Sequence, residues 1–133
     1  VVGVDFAPAM IRLAEERAAA AGAADRCRFA IGDFMSFPEG ETFDYAIVMG
    51  FMDYVPDAPA LVGKVLRHTR SRALFSFPAD GGPLAWQRRL RYRSRCDLFL
   101  YGEGDIQRLL EPMPARGKHV ERIARDYFVT LEV

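Results

Sequence analysis

The sequence predicts an α/β layered fold, a mostly parallel sheet with an antiparallel strand pair at its C-terminal end. Three observations carry that prediction. Apolar runs of strand length alternate with helix-period segments over residues 1–80, the pattern left by strands joined through crossover helices. The run at 43–49 is rich in residues that suit burial on both faces, as inner strands of a parallel sheet require. The chain then closes on two further strand-like runs separated by a short connection.

Taken in order, Val1 to Val4 is a short apolar β run that ends at Asp5. From Pro8 to Ala21, apolar side chains fall at Met10, Ile11, Ala14, Ala18 and Ala21, close to the helical period. Pro8 suits the first helical turn, where its missing N–H costs nothing, and Gly22 stops the helix. Cys27 to Ile31 is a second strand, closed by Gly32-Asp33, and Phe43 to Met49 is a third. Ala60 to His68 reads as a helix with Leu61, Val62, Val65 and Leu66 inward. Ala73 to Phe77 is a fourth strand, broken by Pro78 and Gly81-Gly82. Leu84 to Arg95 is basic and helical in character, Leu98 to Tyr101 is apolar, and Asp105 to Glu111 is a short helix stopped by Pro112. His119 to Ile123 and Tyr127 to Val133 are two strands that turn near Arg125-Asp126 as a hairpin.

With 133 residues, half of them hydrophobic and 27% charged, the chain is large enough to bury a core. Lys plus Arg equals Asp plus Glu at 18 each, so the net charge signals neither a nucleic-acid nor a membrane partner. No apolar stretch approaches the roughly 18–20 residues that span a bilayer. Cys27 and Cys96 make no disulfide framework or metal-ligand pattern, and a reduced, cytoplasmic interior fits them as well as any other compartment. His68 and His119 lack the neighbouring Cys or carboxylate spacing of a zinc site, so no metal is expected. Tyr101-Gly102-Glu103-Gly104-Asp105 reads as a loop entering a helix, without a phosphate-loop Lys-Ser/Thr, and is taken as structural. Because Val1-Val2-Gly3-Val4 is a buried-strand run with no lead-in, the chain is expected to be part of a longer one.

In an open α/β sheet, ligands bind beyond the carboxyl ends of the strands. Two of those ends carry a carboxylate. Asp5 follows one apolar strand and precedes a helix, where it can accept from both hydroxyls of a ribose; the plainer alternative is a loop Asp that favours a helix N-terminus. Asp33 can accept from an adenine amino group while the Phe34 N–H donates to a ring nitrogen, and Gly32 allows close approach. Its plainer alternative is ordinary Gly-Asp turn chemistry.

Three segments then stand together: Val-Val-Gly-Val-Asp-Phe-Ala-Pro-Ala-Met-Ile (1–11), Arg-Phe-Ala-Ile-Gly-Asp-Phe (28–34) and Phe-Asp-Tyr-Ala-Ile-Val-Met-Gly-Phe-Met-Asp-Tyr-Val-Pro-Asp (43–57). In order and spacing they resemble successive motifs of the class I S-adenosylmethionine-dependent methyltransferases, a likeness that covers residues 1–80. The resemblance implies a Rossmann-like methyltransferase sheet that lacks its first strand. It implies one incomplete methyltransferase domain over 1–133, with 79–112 as an insertion on the acceptor side. Asp5 would hold the ribose hydroxyls of S-adenosylmethionine, with Phe6 and Met10 beside the nucleoside. Asp33 would meet the adenine amino group, Phe34 would flank the ring, and Met49 and Gly50 would line the methionine end. The implied reaction is methyl transfer to a small-molecule acceptor.

The chain departs from the family pattern in three places. Ala7 stands where members often have Ser, so the side-chain cap of the following helix is lost. Asp53-Tyr54 replaces the His pair of many small-molecule members. The Gly-x-Gly-x-Gly loop and the strand before it are missing, so either the chain continues upstream or strand 1–4 pairs directly with strand 43–49. As it stands, the chain is expected to bind the cofactor poorly and to be poorly active.

Asp53 and Tyr54, just past a strand end, are the candidates for contacting the acceptor or for deprotonating it. The plainer alternative is that Tyr54 packs under a loop while Asp53 caps the turn before Pro56. The stretch from Trp86 to Arg95 carries five arginines among aromatics and would suit an anionic acceptor, a phosphate or RNA; the plainer reading is an amphipathic helix with Trp86 and Leu90 inward and the arginines solvated. Two other functions compete: a nucleoside-cofactor enzyme such as an NAD-dependent oxidoreductase, whose ribose Asp5 would serve equally, and a non-catalytic methyltransferase-like scaffold.

Overall fold

Two β-sheets organise the chain in a computed structural model that describes residues 1–81 and 98–133. Each sheet belongs to its own compact unit, Val1–Glu39 or Gly40–Val133.

In Val1–Glu39, β1 (Val2–Asp5) and β2 (Arg28–Ile31) pair in parallel, with Val2 opposite Arg28 and Asp5 opposite Ile31. The helix α1 (Pro8–Ala20) connects them and packs on both. Pro8 occupies its first turn, and Gly22 takes a left-handed φ of 62° just beyond its end. Ala7, at the N-cap, supplies no side-chain hydrogen bond, as the substitution of a hydroxyl residue dictates. Gly3 sits opposite Phe29, and a Cβ there would lie 2.8 Å from Phe29 Cδ1. The missing side chain is what lets the ring lie across the ladder. Of the five periodic apolar positions of α1, only Ile11 is fully buried; Met10 and Ala21 are exposed. Two short strands are too narrow to cover a full helical stripe.

Gly40–Val133 is built on a four-stranded sheet of order β3-β4-β6-β5. β3 (Phe43–Val48) is parallel to β4 (Thr69–Pro78), which pairs antiparallel with β6 (Asp126–Glu132); β6 in turn pairs with β5 (Gly117–Ile123). The expected parallel sheet with an antiparallel hairpin is therefore present, the hairpin turning at Ala124, which has a left-handed φ of 54°. Between β3 and β4 runs α2 (Ala58–Arg67), capped by Asp57 Oδ1, which accepts from the Ala60 N–H at 3.0 Å. Its inward residues are those expected: Leu61, Val62, Val65 and Leu66 are all buried, as are Phe75 and Phe77 of β4 and Val129 and Leu131 of β6. The short helix α3 (Glu103–Leu110) contributes Ile106, Leu109 and Leu110. Lys118 Nζ donates to the Leu110 and Glu111 carbonyls at 2.7 and 3.0 Å, closing the C-terminal end of α3.

Two expectations need correction. β4 begins at Thr69, not Ala73, because pairing with β3 at Thr69 and Arg72, joined by β6 from Arg72 onward, extends it through a polar stretch that shows no apolar period. Arg70 and Arg72 leave that stretch for solvent, where they pair with Asp44 and Glu132. β3 is not buried on both faces: Tyr45 and Ile47 are exposed, Ile47 at 72%. It has a ladder partner on one edge, β4, and nothing described covers the face those two residues share. The helix expected at Leu84 to Arg95 lies outside the described residues. No described helix is long and apolar enough to cross a membrane.

Candidate functional site

The carboxyl ends of β1 and β2 lie side by side. Their ladder runs one step past the strands, because the Gly32 N–H donates to the Asp5 carbonyl at 3.0 Å. Asp5 and Asp33 therefore leave adjacent strands at the same end of the sheet. Each carboxylate braces the turn that follows it: Asp5 Oδ1 accepts from the Ala7 N–H at 2.7 Å, and Asp33 Oδ1 from the Met35 N–H at 2.9 Å. An ionised carboxylate has about four lone-pair sites, so bracing a turn occupies only part of its capacity. The turn role and a ligand role are compatible.

The segment after Asp33 is organised within itself. The Ser36 N–H donates to the Asp33 carbonyl and the Phe37 N–H to the Phe34 carbonyl, both at 3.0 Å. Over this turn the Phe34 and Phe37 rings stack, with centroids 5.9 Å apart and planes 16° from parallel. Phe6, between β1 and α1, is 64% exposed, and Met10 in the first turn of α1 is exposed as well. Uncovered apolar side chains thus accompany the two carboxylates along this segment.

In Gly40–Val133 the candidates follow the end of β3. Met49 is exposed, and Gly50 takes a left-handed φ of 65° with its N–H donating to Ser76 Oγ of β4 at 2.9 Å. The chain then makes a tight 3-10 turn over Met52–Tyr54, in which Met52 and Asp53 are buried and Tyr54 is exposed. The expectation that Tyr54 packs under a loop is wrong. The tyrosine beneath this turn is Tyr101, 49 residues on from Met52, whose hydroxyl donates to the Met52 carbonyl at 3.3 Å. Nearby the Phe99 N–H donates to the Asp53 carbonyl at 2.9 Å. Burial, then the negative charges of Asp53 and Asp105, hold the Tyr101 hydroxyl above the ordinary tyrosine pKa.

Tyr101 is fixed from its own side too. Its N–H donates to the Pro78 carbonyl at 2.9 Å, its carbonyl accepts from the Asp80 N–H at 2.8 Å, and its ring meets Phe77 edge-on at 5.0 Å. Sequence reasoning missed it, having read residues 101–105 as a structural loop; the one local hint is the apolar run at 98–101. Beside the turn, an open groove of about 450 Å³ is lined in part by Pro56, Pro59, Phe99, Tyr101 and Leu109.

The structure thus groups Asp5 and Asp33 at neighbouring strand ends, with Phe34 next to the second. It strings Met49, Gly50, Asp53 and Tyr54 along the segment leaving β3. The arginine-rich stretch from Trp86 to Arg95 lies outside the described residues. Among the described residues, no three His, Cys, Asp or Glu side chains are arranged to hold a metal ion.

Comparison with known proteins adds the family and the fold. A family model described as a methyltransferase domain matches residues 1–72. No curated protein matches the sequence. Among solved structures, an O-methyltransferase family protein from Burkholderia thailandensis superposes with a TM-score of 0.80 at 15% identity, over 98% of this chain and 42% of its own. An O-methyltransferase family 2 protein from Planctomyces limnophilus, in complex with apigenin, gives 0.77 at 18% identity, over 99% and 43%. Magnesium protoporphyrin IX methyltransferase from Synechocystis, with bound SAH, gives 0.73 at 14% identity, over 99% and 63%. The chain spans less than two thirds of each of these proteins, and the likeness is one of fold.

Proposed function

Because the chain belongs to the methyltransferase domain family, we propose that it takes part in methyl transfer from S-adenosylmethionine to a small-molecule acceptor. The observation that carries this reading is the pair of carboxylates, Asp5 and Asp33, on coterminal parallel strands. Each has acceptor capacity beyond its own turn, and uncovered apolar side chains accompany them. That combination of acceptors and apolar side chains fits a nucleoside, which presents two ribose hydroxyls, an amino group and an aromatic face. Asp5 would take the ribose hydroxyls and Asp33 the adenine amino group, with Phe34, Phe6 and Met10 against the apolar surfaces. Met49 and Gly50 are assigned to the methionine end by the family pattern.

When bound, the sulfonium supplies an electrophilic methyl group, so the protein has alignment to provide more than chemistry. The Met52–Tyr54 turn is assigned to the acceptor. Tyr54 is exposed and can contact it; Asp53 is buried and can orient it or hold its proton. The Planctomyces relative is in complex with the small molecule apigenin. Residues 79–112 are read as an insertion on the acceptor side of one methyltransferase domain. Cys27 is a free thiol, which suits a reducing, cytoplasmic setting.

Calorimetry of the full-length protein with S-adenosylmethionine, followed by transfer of a tritiated methyl group to a panel of simple phenols and aryl carboxylic acids, tests the reading. Heat of binding and counts in an organic product support it. A folded protein that binds no cofactor at high micromolar concentration supports the scaffold reading instead.

A further inference from the structure

We infer that Tyr101 is a positioning residue for the acceptor: its buried hydroxyl holds the Met52–Tyr54 turn in the geometry from which Asp53 and Tyr54 act. The inference rests on the reading of that turn as the acceptor-contacting segment.

Met52 is fully buried, and its carbonyl accepts from the Tyr101 hydroxyl at 3.3 Å. A buried carbonyl deprived of its donor is costly, so removing this hydroxyl gives the turn a reason to move. The turn is tied to the same segment a second time, through the Phe99 N–H and the Asp53 carbonyl at 2.9 Å. Residues 99–101 thus strap two successive carbonyls of the turn. The strap is itself anchored, because Tyr101 exchanges backbone hydrogen bonds with Pro78 and Asp80 at the end of β4 and its ring abuts Phe77. The position of the turn is therefore referred to the most buried strand of the sheet. Burial and the adjacent carboxylates keep the phenol protonated, so the donor persists at neutral pH. A shift of about 1 Å in a substrate-positioning group is enough to slow a reaction appreciably, and Tyr54 is joined to the braced residues directly.

The Tyr101→Phe variant deletes the hydroxyl and keeps the ring. Amide hydrogen exchange and steady-state methyl transfer, run on the full chain with the panel acceptor that is turned over, test the inference. Exchange at the Phe99 and Tyr54 amides should quicken about tenfold, the scale set by one lost hydrogen bond, while the β4–β6 amides keep the wild-type rate. The kcat/KM for the acceptor should fall about tenfold, with the dissociation constant for S-adenosylhomocysteine unchanged. Unchanged exchange at those two amides would overturn the inference. So would a loosened turn with normal turnover, if Asp53→Asn or Tyr54→Phe slows the reaction; Tyr101 would then be a structural brace only. Normal turnover in all three variants is a different pattern: it removes the turn from the acceptor site, and this inference with it.

Discussion

In Val1–Glu39 a two-stranded ladder carries one helix over a single fully buried apolar side chain, Ile11. In Gly40–Val133 a four-stranded sheet and the helices α2 and α3 enclose Phe75, Phe77, Leu61, Val62, Ile106, Val129 and Leu131. The first unit leans on local bonds: the Asp5 and Asp33 turn braces and the ring of Phe29 lying over Gly3. A two-stranded ladder with so little burial is marginal by itself. In this unit, then, the candidate ligand groups are also the groups that hold the backbone. In the second unit the tasks are divided, since the core lies in β4, β6, α2 and α3 while Met49 and Tyr54 stand exposed beside it.

The contrast can be broken by substitution. The largest effect is expected from Phe77→Ala, which removes a fully buried ring and should cost about 3–5 kcal/mol in denaturant unfolding. Ile11→Ala, in a unit whose other apolar side chains are only partly covered and free to close over the gap, should fall at or below the bottom of the roughly 2–5 kcal/mol range for such truncations. A larger loss for Ile11→Ala than for Phe77→Ala would invert the ranking. Gly50→Ala comes next: a side chain at φ 65° should cost about 1–2 kcal/mol, and a melt that matches the wild type would show that the loop relaxes freely.

Asp33 sharpens the comparison, because it serves two purposes that two variants separate. Asp33→Ala loses the brace to the Met35 N–H and should destabilise Val1–Glu39 by about 1 kcal/mol. Asp33→Asn keeps an acceptor oxygen for that N–H and should melt within a few tenths of a kcal/mol of the wild type, yet both should weaken cofactor binding. If Asp33→Asn binds as well as the parent, Asp33 is a turn residue and no more.

The smallest effect is a pH dependence in the second unit. The Tyr101 pKa is raised in the folded protein, so the native state holds this proton more tightly than the unfolded chain. The resulting stabilisation is complete below the ordinary tyrosine value of about 10 and is lost as pH rises through the folded value. Urea midpoints should therefore decline above about pH 10, less steeply in Tyr101→Phe. Parallel declines in the two proteins would contradict the assignment.

Much of the fold was legible because it rests on local patterns. The apolar runs at 2–5, 28–31 and 43–48 and the stripe Leu61, Val62, Val65, Leu66 mark their elements by period alone. Asp5 and Asp33 were legible as strand-end acids, and their turn-bracing bonds are what short polar side chains offer in that position. What stayed hidden depends on pairing. The Thr-Arg-Ser-Arg stretch at 69–72 carries no apolar alternation, yet pairing with β3 at Thr69 and Arg72, with β6 joining at Arg72, makes it strand. Tyr45 and Ile47 read as core, but nothing described covers them. Tyr101 could not be connected to Met52 from sequence, because 49 residues separate them and only the end of β4 brings the two together.

The nucleoside assignment of the β1 and β2 strand ends rests on Asp5 accepting from a ribose, and a calorimetric double-mutant cycle tests that contact alone. S-adenosylhomocysteine and its 2′-deoxy analogue would each be titrated into the wild-type protein and into Asp5→Ala. The prediction is that deleting the hydroxyl weakens binding to the wild type by about tenfold and makes no difference to Asp5→Ala. An equal loss in both proteins would mean that Asp5 does not touch the ribose, and the nucleoside assignment of these strand ends would fall.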